Sequence, residues 1–290
     1  MTVLRANGIT LHTQRLDPVD PSRDGPARPT AVLIHGMASD TMASWYFTLA
    51  EPLARAGFPT LLYDLRGHGR SERPATGYAL DDFVDDLEAL LAGSGVTGPI
   101  LLFGNSFGGT IAFGYAARRP ERVAGVVAVE SSPPTPEWMR RVAERLHRVA
   151  ARLPQEGALA GIGARRGPIA ARRAADTGRF LADTSITEEL PASRLPSTEA
   201  LAALRCPVLC LYGARSPMVD LADAVRDLLP QTRVAVLPDQ RHSVLVDAPE
   251  AVRRHVFAWL TEQCGLGTTT TAAPTTGQPD DRPPHPTTVP

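Results

Sequence analysis

The stretch Gly104-Asn105-Ser106-Phe107-Gly108-Gly109 follows directly after the apolar run Pro99–Phe103 and precedes the helix-compatible segment Thr110–Arg118. An apolar run, a Gly-x-Ser-x-Gly turn and a helical segment together predict a strand, a sharp turn and a helix. Small residues must flank a serine in so tight a turn, which holds the serine hydroxyl clear of the backbone. The pattern therefore marks Ser106 as a candidate nucleophile.

Three more segments combine an apolar run with a short polar motif: Ala31–Ile34 before His35-Gly36-Met37, Thr60–Tyr63 before Asp64-Leu65-Arg66-Gly67-His68-Gly69-Arg70-Ser71, and Val234–Leu237 before the loop that carries His242. Together with the serine turn, these motifs resemble those of the α/β-hydrolase superfamily, in the same order along the chain. The resemblance covers roughly residues 1 to 263. It implies an α/β fold, with a mostly parallel eight-stranded sheet between helices and a helical lid after the sixth strand.

The alternation of the patterns supports this architecture independently. Apolar runs alternate with helical patterns over residues 31–129 and again over residues 207–261, which is typical of a parallel sheet covered on both faces. We expect residues 1–132 and 205–266 to form the core, and residues 133–204 to form the lid, with glycines 157, 161, 163 and 167 loosening its middle. The Thr/Pro-rich residues 267–290 lack apolar periodicity and are predicted to be a disordered tail.

The composition narrows the function classes. With 290 residues, 43% of them hydrophobic, and a formal net charge of −1, the chain can bury a large core and offers no overall charge for nucleic acid. All 30 basic residues are arginine, which excludes a lysine nucleophile. The three cysteines, Cys206, Cys210 and Cys264, do not have the spacing of zinc ligands, so neither a metal nor a cofactor is predicted. Unpaired cysteines and the lack of a signal-peptide pattern or membrane-length apolar run predict a cytoplasmic protein without a membrane partner.

A serine hydroxyl needs a base within hydrogen-bond reach, and that base needs an orienting partner. The resemblance implies that His242 is the base, because it alone follows the last strand in the family's order of serine, acid and histidine. An oxyanion hole is expected from the backbone N–H groups of Met37 and Phe107. His35 and His68 belong to loop motifs and are expected to be structural.

The position of the acid departs from the family's usual pattern. Most relatives end the corresponding strand in Gly-x-x-Asp, whereas this chain has Gly213-Ala214-Arg215-Ser216. Glu130 ends the predicted strand Val123–Val129, and its position 24 residues after the nucleophile resembles that of the acid in certain dehalogenases and polyether-releasing thioesterases. We favour Glu130 as the acid, with Asp220 and a serine–histidine dyad without an acid as the alternatives.

The substrate is less strongly indicated. Residues 134–179 contain ten arginines against four acidic residues, which predicts either a solvated helical face, a surface for an acidic acyl-carrier protein or a contact for a substrate carboxylate. With Glu130, this favours a thioesterase of polyketide biosynthesis whose small-molecule acyl substrate is free or carrier-bound. The alternatives are an eliminating or cyclising lyase, a C–C bond hydrolase and a non-catalytic ligand-binding protein. Serine at position 106 argues against epoxide hydrolase or haloalkane dehalogenase chemistry, and nothing indicates the oligomeric state.

Overall fold

The computed structural model describes residues 2–19 and 28–264. Eight strands form one sheet in these residues: β1 (Thr2–Ala6), β2 (Ile9–Leu16), β3 (Thr30–Ile34), β4 (Thr60–Tyr63), β5 (Ile100–Asn105), β6 (Val123–Val129), β7 (Val208–Gly213) and β8 (Thr232–Leu237). Their order is β1-β2-β4-β3-β5-β6-β7-β8. Strand β2 is antiparallel to β1 and β4, and all other neighbours are parallel. The predicted fold class, a mostly parallel eight-stranded sheet, is confirmed.

Helices cover both faces of the sheet: α1 (Ala43–Trp45), a π-helical turn (Tyr46–Ala50), α2 (Glu51–Arg55), α3 (Leu80–Gly93), α4 (Phe107–Arg118), α5 (Pro136–Arg152), α6 (Ala158–Arg166), α7 (Pro168–Asp183), α8 (Ile186–Glu189), α9 (Thr198–Ala202), α10 (Ala222–Leu228), α11 (Val244–Asp247) and α12 (Pro249–Cys264). Short 3₁₀ turns follow α4 and precede α10. Among the described residues, no helix combines the length and the apolar character that crossing a membrane requires.

Two apolar cores lie on opposite faces of the sheet, and the alternation of side chains along each strand feeds both. In β5, Ile100 and Leu102 point into the core beneath α3 and α4, whereas Leu101 and Phe103 point into the core beneath α1, α2 and α12. Because both faces are covered, the central parallel strands are nearly continuous apolar runs. These apolar runs are the sequence pattern from which the central strands were predicted.

The N-terminal hairpin is closed by a two-residue turn. Asn7 and Gly8 have φ values of 46° and 78°, and Ala6 pairs with Ile9 directly across the turn. Positive φ at both central positions is the geometry that favours Asn-Gly in hairpins.

The helices α5 to α9 lie between β6 and β7, in the segment predicted to be a lid. Trp138 of α5 is buried, and its indole N–H donates to the Thr110 hydroxyl of α4 over 2.6 Å. Farther along, the carboxylate of Glu189 accepts hydrogen bonds from the backbone N–H groups of Gly77 and Tyr78. Hydrogen bonds therefore attach the segment to the body of the protein near its beginning and again near α8.

The middle of this segment differs from the sequence prediction. Glycines were expected to loosen it, but Gly161 and Gly163 lie inside α6, which packs against α7. Gly157 and Gly167, with φ values of 73° and 84°, lie just outside the two ends of α6. The two flanking glycines therefore mark the ends of this helix, because only their positions require a positive φ, which glycine adopts readily. The two glycines inside the helix do not interrupt it. The division into core and lid stays a prediction, and residues 267–290 lie outside the described residues.

The packing of α4 against β3 generates a stability prediction. A Cβ atom at Gly108 would lie 2.2 Å from the carbonyl oxygen of Ile34, so Gly108→Ala forces the helix and strand apart. We expect a loss of about 1–3 kcal/mol in the free energy of unfolding, measured by urea denaturation. Gly98→Ala is the matched control, because no heavy atom lies within 4 Å of its added Cβ. Equal midpoints for the two variants would contradict this account of the packing.

Candidate active site

Ser106 occupies a strained turn between β5 and α4. Its φ of 50° and ψ of −119° are unfavourable for a residue with a side chain, and its N–H donates to the carbonyl of Val129 over 2.8 Å. The turn is possible because Gly104 has no side chain: a Cβ there would lie 2.3 Å from the Cα of Gly109. The neighbouring backbone thus holds the serine side chain at the carboxyl edge of the sheet.

His242 approaches Ser106 from the loop between β8 and α11. Its Nε2 lies 3.2 Å from the Ser106 Oγ, within reach of a hydrogen bond. The histidine side chain is 23% exposed, so its ring is reachable from the adjoining cavity. The structure therefore brings together the predicted nucleophile and the predicted base.

The other ring nitrogen of His242 faces a fully buried carboxylate. Nδ1 lies 2.9 Å from Oε2 of Glu130, which has no exposed surface and a φ of 54°. The backbone N–H of Gly213 donates to Oε1 over 2.5 Å, and the Ser216 hydroxyl donates to Oε2. A carboxylate buried among donors is satisfied without solvent, and it can orient the imidazole through Nδ1.

Ser216 is a supporting residue that the sequence analysis missed. It stands at the position where the resemblance led us to expect an acid, and its hydroxyl contacts the carboxylate of Glu130. Its Oγ also accepts a hydrogen bond from the Met218 N–H over 3.1 Å. The sequence did contain a pattern that could have revealed this contact: a glutamate directly after β6 together with a serine at position 216, where an acid was expected.

The alternative acid, Asp220, is not part of this arrangement. It is exposed on the 3₁₀ turn Val219–Leu221, and its carboxylate forms no hydrogen bond or ion pair with His242. The chain after Pro217 turns away into this short helix, which removes the aspartate from the histidine.

Two residues with free backbone N–H groups line the cavity that contains the nucleophile. Met37 follows β3, Phe107 begins α4, and both line the cavity that contains Ser106 and His242. Within residues 2–19 and 28–264, neither N–H donates a hydrogen bond to another group. Two free donors beside a nucleophile are what a developing oxyanion requires.

Asp40 joins the two sides of this donor pair, and the sequence analysis did not single it out. Its Oδ2 accepts from the Gly36 N–H over 2.7 Å and from the Asn105 side-chain amide over 2.9 Å. Burial alone would raise the pKa of Asp40, but the nearby His35 and these hydrogen bonds hold that pKa below its ordinary value. The carboxylate thus links the loop before Met37 to the residue before Ser106. An aspartate in a polar loop gives no pattern that would reveal this role.

Two buried histidines connect this loop to the loop after β4. The Nε2 atoms of His35 and His68 accept hydrogen bonds from the N–H groups of Leu65 and Ala38, over 2.9 and 3.0 Å. Desolvation by burial, and then the proximity of His35, lower the pKa of His68 to about 3, so this ring is neutral near pH 7. Because a neutral ring can accept at Nε2, it can hold Ala38 at its φ of 70°. Both histidines lie in structural positions, as the loop motifs predicted.

A cavity of about 360 Å³ opens above Ser106. Helix α5 supplies the apolar side chains of Trp138, Val142 and Leu146 to its wall. A nucleophile, a base with an orienting carboxylate, two free N–H donors and an apolar cavity are together sufficient for acyl transfer.

Sequence comparison identifies similar proteins. A sequence profile described as the alpha/beta hydrolase fold matches residues 29–167. Lipase LipV of Mycobacterium tuberculosis is 39% identical over 122 residues, which are 42% of this chain and 42% of the lipase. A haloalkane dehalogenase of Mycolicibacterium paratuberculosis is 30% identical over 217 residues, 68% of this chain and 70% of that protein. The chain spans less than half of the length of the first curated relatives that it matches.

Comparison with solved structures extends the likeness of the fold to nearly the whole chain. A carboxylesterase of Nitrososphaera gargenis has a TM-score of 0.71 at 23% identity, covering 91% of this chain and 99% of its own.

The placement of the acid generates a direct test. Glu130→Gln keeps the size of the side chain but removes the charge that faces His242, so we expect esterase turnover to fall by roughly 10⁴-fold with the fold intact. Asp220→Asn is the matched control and should change turnover little, because Asp220 is exposed and does not contact His242. Steady-state kinetics with circular dichroism as the folding check make the measurement. An inactive Asp220 variant beside an active Glu130 variant would contradict the assignment.

Proposed function

Because this chain belongs to the α/β-hydrolase family, we propose that it hydrolyses acyl esters or thioesters through Ser106, His242 and Glu130. The observation that carries the proposal is the continuous contact from Ser106 Oγ to His242 Nε2, and from His242 Nδ1 to Glu130, beside two free backbone donors. The names of the similar lipase and of the structurally similar carboxylesterase both refer to hydrolysis of carboxylic esters.

In the proposed first step, the Ser106 hydroxyl attacks the acyl carbonyl carbon while His242 Nε2 takes its proton. The carbonyl oxygen becomes an oxyanion between the N–H groups of Met37 and Phe107. The imidazolium, stabilised by Glu130, then gives its proton to the leaving oxygen or sulfur, and the acyl group stays on Ser106 as an ester.

In the second step, water replaces the leaving group. His242 takes a proton from the water, the resulting hydroxide attacks the acyl-enzyme, and the tetrahedral intermediate collapses with return of the proton to Ser106. A carboxylic acid is released, and the enzyme regains its starting protonation state.

The identity of the nucleophile separates this chemistry from that of the dehalogenase relative. Attack by a carboxylate on an alkyl carbon gives an ester, which water can hydrolyse. Attack by Ser106 on the same carbon would give an ether, which water does not cleave under these conditions. A serine nucleophile is therefore productive on an acyl carbon.

Within this activity, our narrower proposal is a thioesterase of polyketide biosynthesis. The acid at Glu130 instead of position 216 supports it, through the resemblance to polyether-releasing thioesterases. The cytoplasmic location predicted from the sequence stays a prediction.

We further propose that α5 to α7 act as the lid over the catalytic cavity. Helix α5 forms part of the cavity wall and is attached to α4 through Trp138, so its movement would open or close the site. Amide hydrogen exchange should be faster in α5 to α7 than in β5, and it should slow when Ser106 carries a phosphonyl adduct. Exchange in these helices that the adduct leaves unchanged would argue against a lid.

The covalent mechanism predicts that Ser106→Ala lowers turnover on an acyl thioester by on the order of a million-fold. A fluorophosphonate probe should label the natural protein at Ser106, as located by peptide mass spectrometry, and should not label the variant. Ser94→Ala is the control, because that serine follows α3 and lies outside the cavity. Near-full activity of Ser106→Ala would exclude the covalent mechanism and leave His242 acting alone as a base.

A further inference from the structure

A second cavity, of about 810 Å³, lies between α5, α6 and α7. It adjoins the catalytic cavity, because six residues line both cavities: Ala38, Ser39, Arg145, Val149, Arg173 and Ser243. Six arginines line the second cavity, and no acidic residue does: Arg145, Arg148, Arg152, Arg165, Arg166 and Arg173. We call this second cavity the arginine cleft.

The guanidinium groups of the arginine cleft have no partners among the described residues. None of the six forms a side-chain hydrogen bond or ion pair there. Three acidic residues of α5 and α7 instead pair with other arginines: Glu137 with Arg141, Glu144 with Arg140, and Asp176 with Arg179. The acids thus neutralise arginines outside the cleft and leave the positive charge inside it uncompensated.

Four arginines of α5 are spaced so that they form a stripe along one face of the helix. Arg141, Arg145, Arg148 and Arg152 follow one another at intervals of four, three and four residues, so they share one face of the helix. Arg141 and Arg145 line the catalytic cavity, and the stripe then continues into the cleft.

The stripe opposes the stability of the helix. Like charges at these intervals destabilise it. Desolvation, and then the charge of Arg148, lower the pKa of Arg145, although the carboxylate of Glu130 opposes the shift. A bound anion would relieve this repulsion.

We propose that the arginine cleft binds the phosphates of a leaving group, so that the substrate is the acyl thioester of a phosphorylated nucleotide-bearing thiol such as coenzyme A. The inference rests on the proposed function, because it places the thioester at Ser106 and the phosphates at the outer end of the stripe. A single carboxylate has too few oxygens for six guanidinium groups, whereas several phosphates provide many acceptors with the geometry that arginine matches.

The shape of the cleft favours a small molecule over a folded carrier protein. It is a concavity between three helices, and its apolar wall includes Leu153, Ile162 and Ile169. These side chains can contact a flat nucleobase while the arginines contact phosphates. The six arginines are themselves exposed, so phosphates can reach them from solvent.

The test compares two thioesters with the same acyl chain and the same thiol arm: butyryl-coenzyme A and butyryl-pantetheine, which lacks the phosphates. The natural protein should prefer the coenzyme A thioester by roughly tenfold or more in kcat/KM, mainly through KM, because charge-assisted contacts are lost with pantetheine. The preference should decline as salt is added. In the double variant Arg148→Gln/Arg152→Gln, the preference should approach one.

The matched control is Arg172→Gln/Arg254→Gln, which removes the same charge. Arg172 lies on α7 and Arg254 on α12, and both are exposed and absent from the two cavities. This control should keep the preference. Calorimetry should also measure the affinity of the Ser106→Ala protein for free coenzyme A. Adding the cleft substitutions to this protein should weaken that affinity, and adding the control substitutions should leave it unchanged.

The outcomes separate the two proposals. Equal turnover of both thioesters, unchanged by the cleft variant, would overturn the role of the arginine cleft and leave the proposed function standing. Cleavage of a carrier-protein-bound acyl chain that depends on Arg148 and Arg152, without a preference for coenzyme A over pantetheine, would overturn the small-molecule occupant. Failure of both thioesters and of the fluorophosphonate label at Ser106 would overturn the proposed function itself, and calorimetry would still test whether the cleft binds phosphates.

Discussion

The buried carboxylate of Glu130 joins the parts of the chain on which the candidate active site depends. It lies at the end of β6, accepts hydrogen bonds from the end of β7 at Gly213 and from Ser216, and faces Nδ1 of His242. A charge without exposed surface is costly unless donors surround it. The three donors therefore have to be in place together, and this requirement aligns the ends of neighbouring parallel strands with the histidine loop. Gly213 contributes in a second way, because a Cβ there would lie 2.4 Å from the carbonyl oxygen of Gln240 and push that loop away.

The opposite side of the site is organised in a similar way by a second carboxylate. Asp40 accepts hydrogen bonds from Gly36 and Asn105, so it connects the loop after β3 to the turn after β5. His68 accepts from the Ala38 N–H of that loop, and His35, at its start, accepts from the Leu65 N–H of the loop after β4. The free N–H groups of Met37 and Phe107 therefore sit on backbone that is held from several directions. Such preorganisation is what makes hydrogen-bond donors effective toward a developing charge.

The helical insertion differs from this braced core in the way its charges are used. In the core, buried charges are paired, as Arg66 is with Asp86. In the insertion, the paired arginines lie outside the cleft, and those lining it have no acidic partner. Helix α5 carries both properties, because its apolar residues face the catalytic cavity while its arginine stripe leads away from it. In our proposal, the apolar face of α5 contacts the acyl chain and its arginine face binds the anionic group.

The sequence by itself determined the sheet, the serine turn and the order of the motifs, since these follow from local patterns. Apolar runs, glycines in a tight turn and the Asn7-Gly8 hairpin each depend on neighbours a few residues apart. Glu130 could be favoured as the acid because position 216 lacked one and because its spacing from Ser106 resembled that of the acid in certain relatives. Tertiary structure alone decided that Ser216 contacts that carboxylate, that Asp40 bridges two loops and that six arginines converge on one cleft. These contacts join residues far apart in the chain, and their geometry depends on how strands and helices pack. The glycines of α6 show the same limit, because packing against α7 outweighed their local preference.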